Sequence, residues 1–576
     1  MTATEISLVQ FLRDNRDHKL LIPIYQRSYE WTTKKDKEVY TLWQNISDID
    51  ILDENSTHFI NSIVYIADEK NTNFLNIIDG QQRITTISIL FIAIRNRLEK
   101  LQKDKKLQDL VDEIKIVKEQ IEEFYLIRKW KKGDDKIRLS LSNKNRDREI
   151  FNKLAVDIDE PSYSRSDQDS NLIKAYKFFK TTEKIGSMSF DDIKSLLFKI
   201  ERIFIVKVAL EIGKDNPQIV FSSLNGGGLK LKDTDLIKNT IFMKLERDDQ
   251  EFLHSNKWEV LEESILEKDF SIFFSHFLTM KLGRVVTNNS IYDEFVKKYF
   301  DKIPSNSEFN KVKFVLDEML FYKDIFLDLK SGNIFNNLSI LPLFDIEAYY
   351  PFLMKLKAEQ TPFFTKIVRI IESYLVRRFI YGLQPNATKL VFANACKDIA
   401  INENIIVQFE SFLKKKDAKQ RFPNDEEFIS SLKNKSIYDD SEKLTKAILF
   451  ALEKTANPSL TFDVVNFNKY TVEHILPQNS YENLNSCWKN NFNKDEHSKY
   501  LHLLGNLTLL FSDENSTAKD FCFEQKKQVY NESELYINNH LLDFDNWTKI
   551  TIENYSNYLV KLALERWKRL DETPGN

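Results

Sequence analysis

The residues with the most chemical potential lie near the C-terminus. They run Val472-Glu473-His474-Ile475-Leu476-Pro477-Gln478, then Leu503-Leu504-Gly505-Asn506-Leu507-Thr508-Leu509-Leu510, then Asn515, Phe521 and Lys526. The chain has only 8 histidines, and His474 sits between an acidic residue and a short apolar run. Hydrolysing a phosphodiester needs an attacking water, a base to deprotonate it, and a cation to stabilise the pentavalent phosphorus and the leaving oxygen. For that chemistry His474 is the general base, with an ordinary imidazole pKa of about 6.5. Glu473, or a group close to it, would bind Mg²⁺ through oxygen, and Asn515 is the candidate second metal ligand. Asn506 would orient the loop that carries the histidine, and Lys526 would help to neutralise the scissile phosphate. The bland alternative is a core histidine with no chemistry.

Those roles require two short buried strands followed by a helix, as in a ββα-metal (HNH) nuclease domain. The segments YTVEHIL (470–476) and LHLLGNLTLLF (501–511) are apolar enough to be those strands. His497 and His502 fall between them, each either an extra ligand or an exposed side chain.

A second constellation lies near the N-terminus, in Ile22-Pro23-Ile24-Tyr25-Gln26-Arg27-Ser28-Tyr29-Glu30-Trp31 and Ile77-Ile78-Asp79-Gly80-Gln81-Gln82-Arg83-Ile84-Thr85. In the second phrase an apolar strand ends in Asp-Gly and a helix begins with Gln-Gln-Arg. Such a junction gathers free backbone N–H groups, a guanidinium and a carboxylate at one point, which suits phosphate, with Asp79 able to hold a metal ion beside it. Gly80 would allow close approach. A strand-turn-helix with Asp-Gly is also a common structural device.

A third phrase, Phe221-Ser222-Ser223-Leu224-Asn225-Gly226-Gly227-Gly228, leads into Asp233, Asp235 and Lys238. No Lys-Ser/Thr pair follows the glycines, so it is not a P-loop. Either it is a turn whose Asp235 caps the next helix, or Asn225 is a polar contact near a bound nucleotide.

Together, "IPIYQRSYEW", "IIDGQQRITT", "VEHILPQN" and "LGNLTLL" resemble the GmrSD-type restriction endonucleases. The resemblance implies a ParB/sulfiredoxin-like N-terminal domain that binds and hydrolyses a nucleotide, joined to a C-terminal HNH nuclease domain. Carried over, Asp79, Gly80, Gln81, Gln82 and Arg83 become the nucleotide and metal candidates, with Tyr25, Gln26 and Arg27 lining the same pocket. It further implies a modification-dependent, type IV-like enzyme of anti-phage defence, acting on modified phage DNA, using Mg²⁺ or Mn²⁺ and licensed by an NTP. The alternative is an NTP-switched DNA-binding regulator with an inactive HNH domain; a third option is a nuclease that acts on RNA or nicks one strand. One nuclease site per chain favours a homodimer or sequential nicking if both strands are cut.

The elements that must position these groups follow from composition. At 576 residues the chain exceeds the roughly 250–300 residues one core can serve, and three domains are expected: 1–245 nucleotide-binding with a helical arm, 246–455 helical, and 456–576 nuclease. Glycine and proline number 12 each while Lys, Glu, Leu, Ile and Phe dominate, so the fold is expected to be mainly α with small mixed α/β parts. Helical spacing covers Ile6–Leu12 and Thr85–Leu98, while 59–66, 73–78 and 200–210 read as strands. A linker is expected over Glu453–Asn468, which carries a proline and no helical period. On a helix over 371–381, Arg377 and Arg378 cannot share one face; a buried salt bridge is as good a reading as a phosphate contact.

The formal net charge of −4 excludes a polyelectrolyte type of nucleic-acid binder. The last 116 residues, 461–576, hold 12 basic and 17 acidic side chains, so DNA contact must come from local patches. Cys396, Cys487 and Cys522 show neither a disulfide framework nor zinc-ligand spacing. With no long apolar run, the chain is expected to be cytoplasmic and unconnected to membrane.

Overall fold

A computed structural model describes the chain except for residues 69–72, 129–130, 142–144, 158–163, 165–166, 212–213, 216–219, 221–231, 244, 301–306, 336–338, 461–463, 480, 519–520 and 570–576. Asn225 and the glycine run beside it lie outside the described residues. Helices dominate, with two small sheets. Contacts gather the residues into two units: Met1–Asn256 with Phe300–Lys313, and Lys257–Tyr299 with Phe314–Asn576.

The first unit is organised by a six-stranded mixed sheet. Its strands are β1 (Thr2–Ser7), β2 (Lys19–Leu21), β3 (His58–Ala67), β4 (Phe74–Asp79), β5 (Leu139–Ser140) and β6 (Ile203–Leu210), in the spatial order β1-β6-β3-β4-β2-β5. β3 and β4 are antiparallel neighbours, with a register shift at Val64/Tyr65. β3 also runs parallel to β6, which pairs antiparallel with β1. The expected helix over Ile6–Leu12 starts later than its spacing suggests. β1 runs to Ser7, whose Oγ accepts the Gln10 amide at 3.1 Å and so caps the helix Leu8–Asp14. A capping serine outweighs the apolar period there.

Against this sheet packs the helix Gln81–Gln102, which buries Ile84, Ile87, Leu90, Phe91, Ile94 and Leu98 around most of its circumference. A helix apolar on all sides belongs in an interior, and this one fixes the end of β4 against the rest of the unit.

The second unit is a set of helices around the antiparallel hairpin of β7 (Tyr470–His474) and β8 (Leu507–Phe511). Leu507, Leu509 and Leu510 are buried, together with Trp488, Trp547 and Trp567. The linker expected from residue 453 begins later, because the helix Glu442–Ala456 continues through it. Glu453 is buried there, and its carboxylate accepts the backbone N–H groups of Tyr536 and Ile537 at 2.9 Å each. That tie explains a helix end that periodicity alone does not predict.

Arg377 and Arg378 are both buried. Arg377 pairs with Asp425 at 2.6 Å, the salt-bridge reading, and donates to the carbonyls of Trp567 (2.8 Å) and Pro423 (3.3 Å), while Arg378 reaches those of Arg421, Gln384 and Lys419 at 2.8–3.1 Å. As neighbours about 100° apart on one helix they serve two different sets of carbonyls. Their role is structural, and no phosphate can reach them in this arrangement.

Candidate functional sites

Two sites emerge, one in each unit. In the first, β4 ends at Asp79 and Gly80 turns the chain into the long helix with φ +93°. Only glycine enters that left-handed region without penalty. A Cβ at this position would also lie 3.0 Å from Ile63 Cγ1 and 3.2 Å from the Ser62 carbonyl oxygen. Gly80→Ala is therefore expected to lower stability by about 1–2 kcal/mol from backbone strain alone, seen as a lower unfolding midpoint in urea.

Beside the turn opens a cleft of ≈580 Å³ lined by Gln26, Arg27, Asp79, Gly80, Gln81, Gln82 and Arg83. The Arg83 guanidinium bonds Asp79 Oδ2 at 3.0 Å and the Ile60 carbonyl at 2.9 Å, which spreads it across the cleft wall. Gln82 does different work. Its Oε1 accepts the Glu30 amide at 2.9 Å and its Nε2 donates to the Ser28 carbonyl at 2.9 Å, clamping the loop that carries Arg27. Gln26 is buried and donates to the Ile78 carbonyl at 2.9 Å, while Arg27 pairs with Glu30 at 3.0 Å. Tyr25, expected to line the same pocket, is buried and is not among the residues that line the cleft, and burial pushes its hydroxyl well above the usual range. Asp235 accepts the Lys232 amide at 3.3 Å, the helix-capping option.

Sequence reasoning missed Asn45 and His58, which face the same cleft with Asn45 Nδ2 3.0 Å from His58 Nε2. Neither lies in a recognisable phrase; the sheet brings them there.

In the second unit the β7–β8 hairpin places Glu473 opposite Thr508 and His474 opposite Leu507. Successive side chains on a strand point to opposite faces, so these two neighbours part company. Glu473 enters the core, where Lys526 Nζ bonds its Oε1 at 2.6 Å and the Tyr530 hydroxyl lies at 3.4 Å. The pair is sealed, with Lys526 0% and Glu473 4% exposed at the side chain. Lys526 also donates to the His474 carbonyl at 2.8 Å. The lysine expected to face a scissile phosphate is thus an internal cation, committed to Glu473 because both leave water on folding.

His474 turns the other way. Its Nε2 lies 3.0 Å from His502 Nδ1 and 3.3 Å from the Gln478 amide nitrogen. Burial, with His502 and the Lys526 charge adding to it, pushes the imidazole down to about 3. It is not a histidine of ordinary basicity; it stays neutral across the physiological range. Asn506, fully buried, fastens the loop beyond it: Oδ1 accepts the Leu476 amide at 2.8 Å and the Trp547 indole at 3.0 Å, and Nδ2 donates to the carbonyls of Leu476 and Leu501. His497 is not an exposed side chain. It is buried, with Nε2 2.9 Å from the Pro477 carbonyl.

Asn515 donates through Nδ2 to Thr471 Oγ1 (2.9 Å) and the Val472 carbonyl (3.1 Å). Glu473 being neutralised by Lys526 and the Asn515 amide tied to β7, these residues as placed do not form a cation site. Among the described residues there is no group of three or more His, Cys, Asp or Glu arranged to hold a metal ion.

The cysteines depart from expectation. Cys487 and Cys522, 35 residues apart, form a disulfide, and Cys396 is buried and free. Spacing gave no hint because the pairing is made by tertiary packing: the Trp488 indole donates to the Phe521 carbonyl at 3.2 Å beside it. Among the described residues no helix is long and apolar enough to cross a membrane.

Comparison with known families adds to this geometry. Residues 8–242 match the family model of the GmrSD restriction endonuclease N-terminal domain, and residues 422–562 match that of the GmrSD restriction endonuclease C-terminal domain. A comparison with curated proteins gave no match. The first match takes in the cleft at Gly80 and the second the His474 hairpin; together they span more than half of the chain, which belongs to the GmrSD restriction endonuclease family, a family of restriction-type nucleases.

Proposed function

We propose that the protein is a nucleotide-regulated, Mg²⁺-dependent DNA endonuclease of the modification-dependent restriction type, acting in anti-phage defence, with an HNH domain that cuts and an N-terminal domain that hydrolyses NTP. The observation that supports it best is the placement of His474 at the end of β7, next to a loop fastened by Asn506. In the reaction a water oxygen bonds to phosphorus, its proton passes to the imidazole, and one ester P–O bond breaks with its electron pair leaving on the oxygen. Mg²⁺ or Mn²⁺ would supply charge stabilisation at the phosphate only if Glu473 left Lys526, because the residues as placed hold no cation. NTP is assigned to the cleft between Arg27 and Arg83, where two guanidiniums and a helix N-terminus face one space.

The competing reading is an NTP-switched DNA-binding regulator without cleavage. The sequestered Glu473 favours it, since it leaves the hairpin without a free carboxylate. The test is incubation with plain and modified phage DNA, each NTP, and Mg²⁺, Mn²⁺ or chelator. Cleavage that requires metal and NTP and prefers modified DNA is expected. Binding of NTP and DNA without scission in any metal would establish the regulator instead. In the same assay Asp79→Ala, which frees Arg83 from its carboxylate, is expected to lower NTP hydrolysis roughly 10- to 100-fold, the worth of one charged hydrogen bond of about 1.5–3 kcal/mol. Unchanged hydrolysis would move the nucleotide to another site.

A further inference from the structure

We propose that His502 is a positioning residue of the nuclease site, fixing the tautomer of His474 so that His474 Nδ1 carries the lone pair that takes the proton from water. The inference rests on His474 being the base.

The geometry is a chain of three groups. His474 Nε2 faces His502 Nδ1 at 3.0 Å, and His502 Nε2 faces Asp439 Oδ1 at 3.7 Å. A neutral imidazole has one N–H and one lone pair, so settling one end of the chain settles the whole. A carboxylate can only accept, and its field draws the N–H of His502 to Nε2. His502 Nδ1 is then the acceptor, and the hydrogen between the rings belongs to His474 Nε2. By the same count His474 Nδ1 is left with its lone pair, and among the described residues it takes no hydrogen bond.

The opposite order, with His502 Nδ1 donating, would leave the hydrogen of a neutral His474 on Nδ1 and no lone pair there. The Gln478 amide nitrogen, 3.3 Å from His474 Nε2, can only donate, so the proposed order requires that amide to be turned by half, with its oxygen facing His474. Orientation by a second residue that fixes the proton of a catalytic imidazole is a general requirement of such bases.

The rings are also held sterically. Tyr438 stacks on His502 with centroids 5.3 Å apart at 7°, and meets His474 edge-on at 4.7 Å and 88°. His502 is about a quarter exposed, whereas His474 is buried. The outer ring can therefore be replaced without emptying the core.

The experiment compares His502→Ala, His502→Asn and His474→Ala in the full-length chain, with steady-state cleavage of DNA under conditions in which the wild type cuts. Asparagine can place an acceptor oxygen near the position of Nδ1; alanine cannot. Expected is a fall in kcat of about 10- to 100-fold for His502→Ala, an unchanged KM for DNA, and recovery of most of the loss in His502→Asn. Nitrogen-15 spectra of histidine-labelled protein should show His474 protonated at Nε2 in the wild type and mixed in His502→Ala. Wild-type kcat in His502→Ala while His474→Ala is dead overturns the role of His502 and leaves the base intact. Equal losses in the alanine and asparagine variants, with an unchanged His474 spectrum, also overturn it. Full cleavage by His474→Ala would instead remove the base itself, and the inference with it.

Discussion

His474→Ala is expected to reduce strand cleavage by about 10²- to 10⁴-fold, the range a positioned general base contributes, with DNA binding and circular dichroism retained. The loss should appear in kcat, because the imidazole acts on the attacking water and has no part in holding the duplex. Folding should survive because the groups that organise the loop are others: Asn506 holds the Leu476 amide and His497 meets the Pro477 carbonyl. The buried imidazole also makes a pH prediction. Its folded pKa of about 3 lies below the unfolded value near 6.5, so the unfolded chain binds the extra proton. The protein should lose stability as pH falls below about 6.5 towards 3, and His474→Gln should soften that loss. Cleavage within about twofold of wild type in His474→Ala would end the assignment.

How much of this was legible in the sequence depends on the length scale of the signal. The β7–β8 hairpin and the turn at Gly80 are written locally, as apolar runs ending in fixed polar residues. Asn506 likewise stands inside its phrase. The partners of these residues are another matter. Lys526 was visible as a cation downstream of the histidine, but only packing shows that it is spent on Glu473. Period-two alternation along VEH already separated Glu473 from His474, so the sequence held the reason why the two could not share one task. Tyr438 and Asp439 come from a short helix more than thirty residues upstream and carry no motif. The same holds for Cys487 with Cys522, and for Asn45 with His58, contacts made only when distant segments meet. Local chemistry is readable from one chain; the choice of partner for a buried charge is a tertiary decision.

Lys526→Met is the sharpest test of that choice, with an expected loss of about 3–5 kcal/mol, the cost of removing one partner from a buried ion pair. The lysine has no exposure, and its ammonium satisfies both Glu473 Oε1 and the His474 carbonyl. Without it the carboxylate is stranded beside Tyr530. Burial pushes the Glu473 carboxyl above its usual range, and Lys526 is the group that opposes that rise most strongly. In the variant Glu473 should protonate on folding, so the folded state binds the extra proton. Stability is then retained at pH below the unfolded carboxyl value near 4.3 and lost as pH rises through the folded one, making the variant's deficit larger at pH 8 than at pH 5. Pairing the change with Glu473→Leu removes both charges and should recover much of the loss, since replacing a whole buried pair by apolar groups is often neutral. Cleavage per folded molecule separates the two roles of the lysine. If it is an internal cation, activity should follow the folded fraction in the single variant. A fall of about 100-fold or more with an unchanged unfolding midpoint would mean that the ammonium leaves Glu473 to meet the phosphate when DNA binds, which would also free the carboxylate that a metal ion needs.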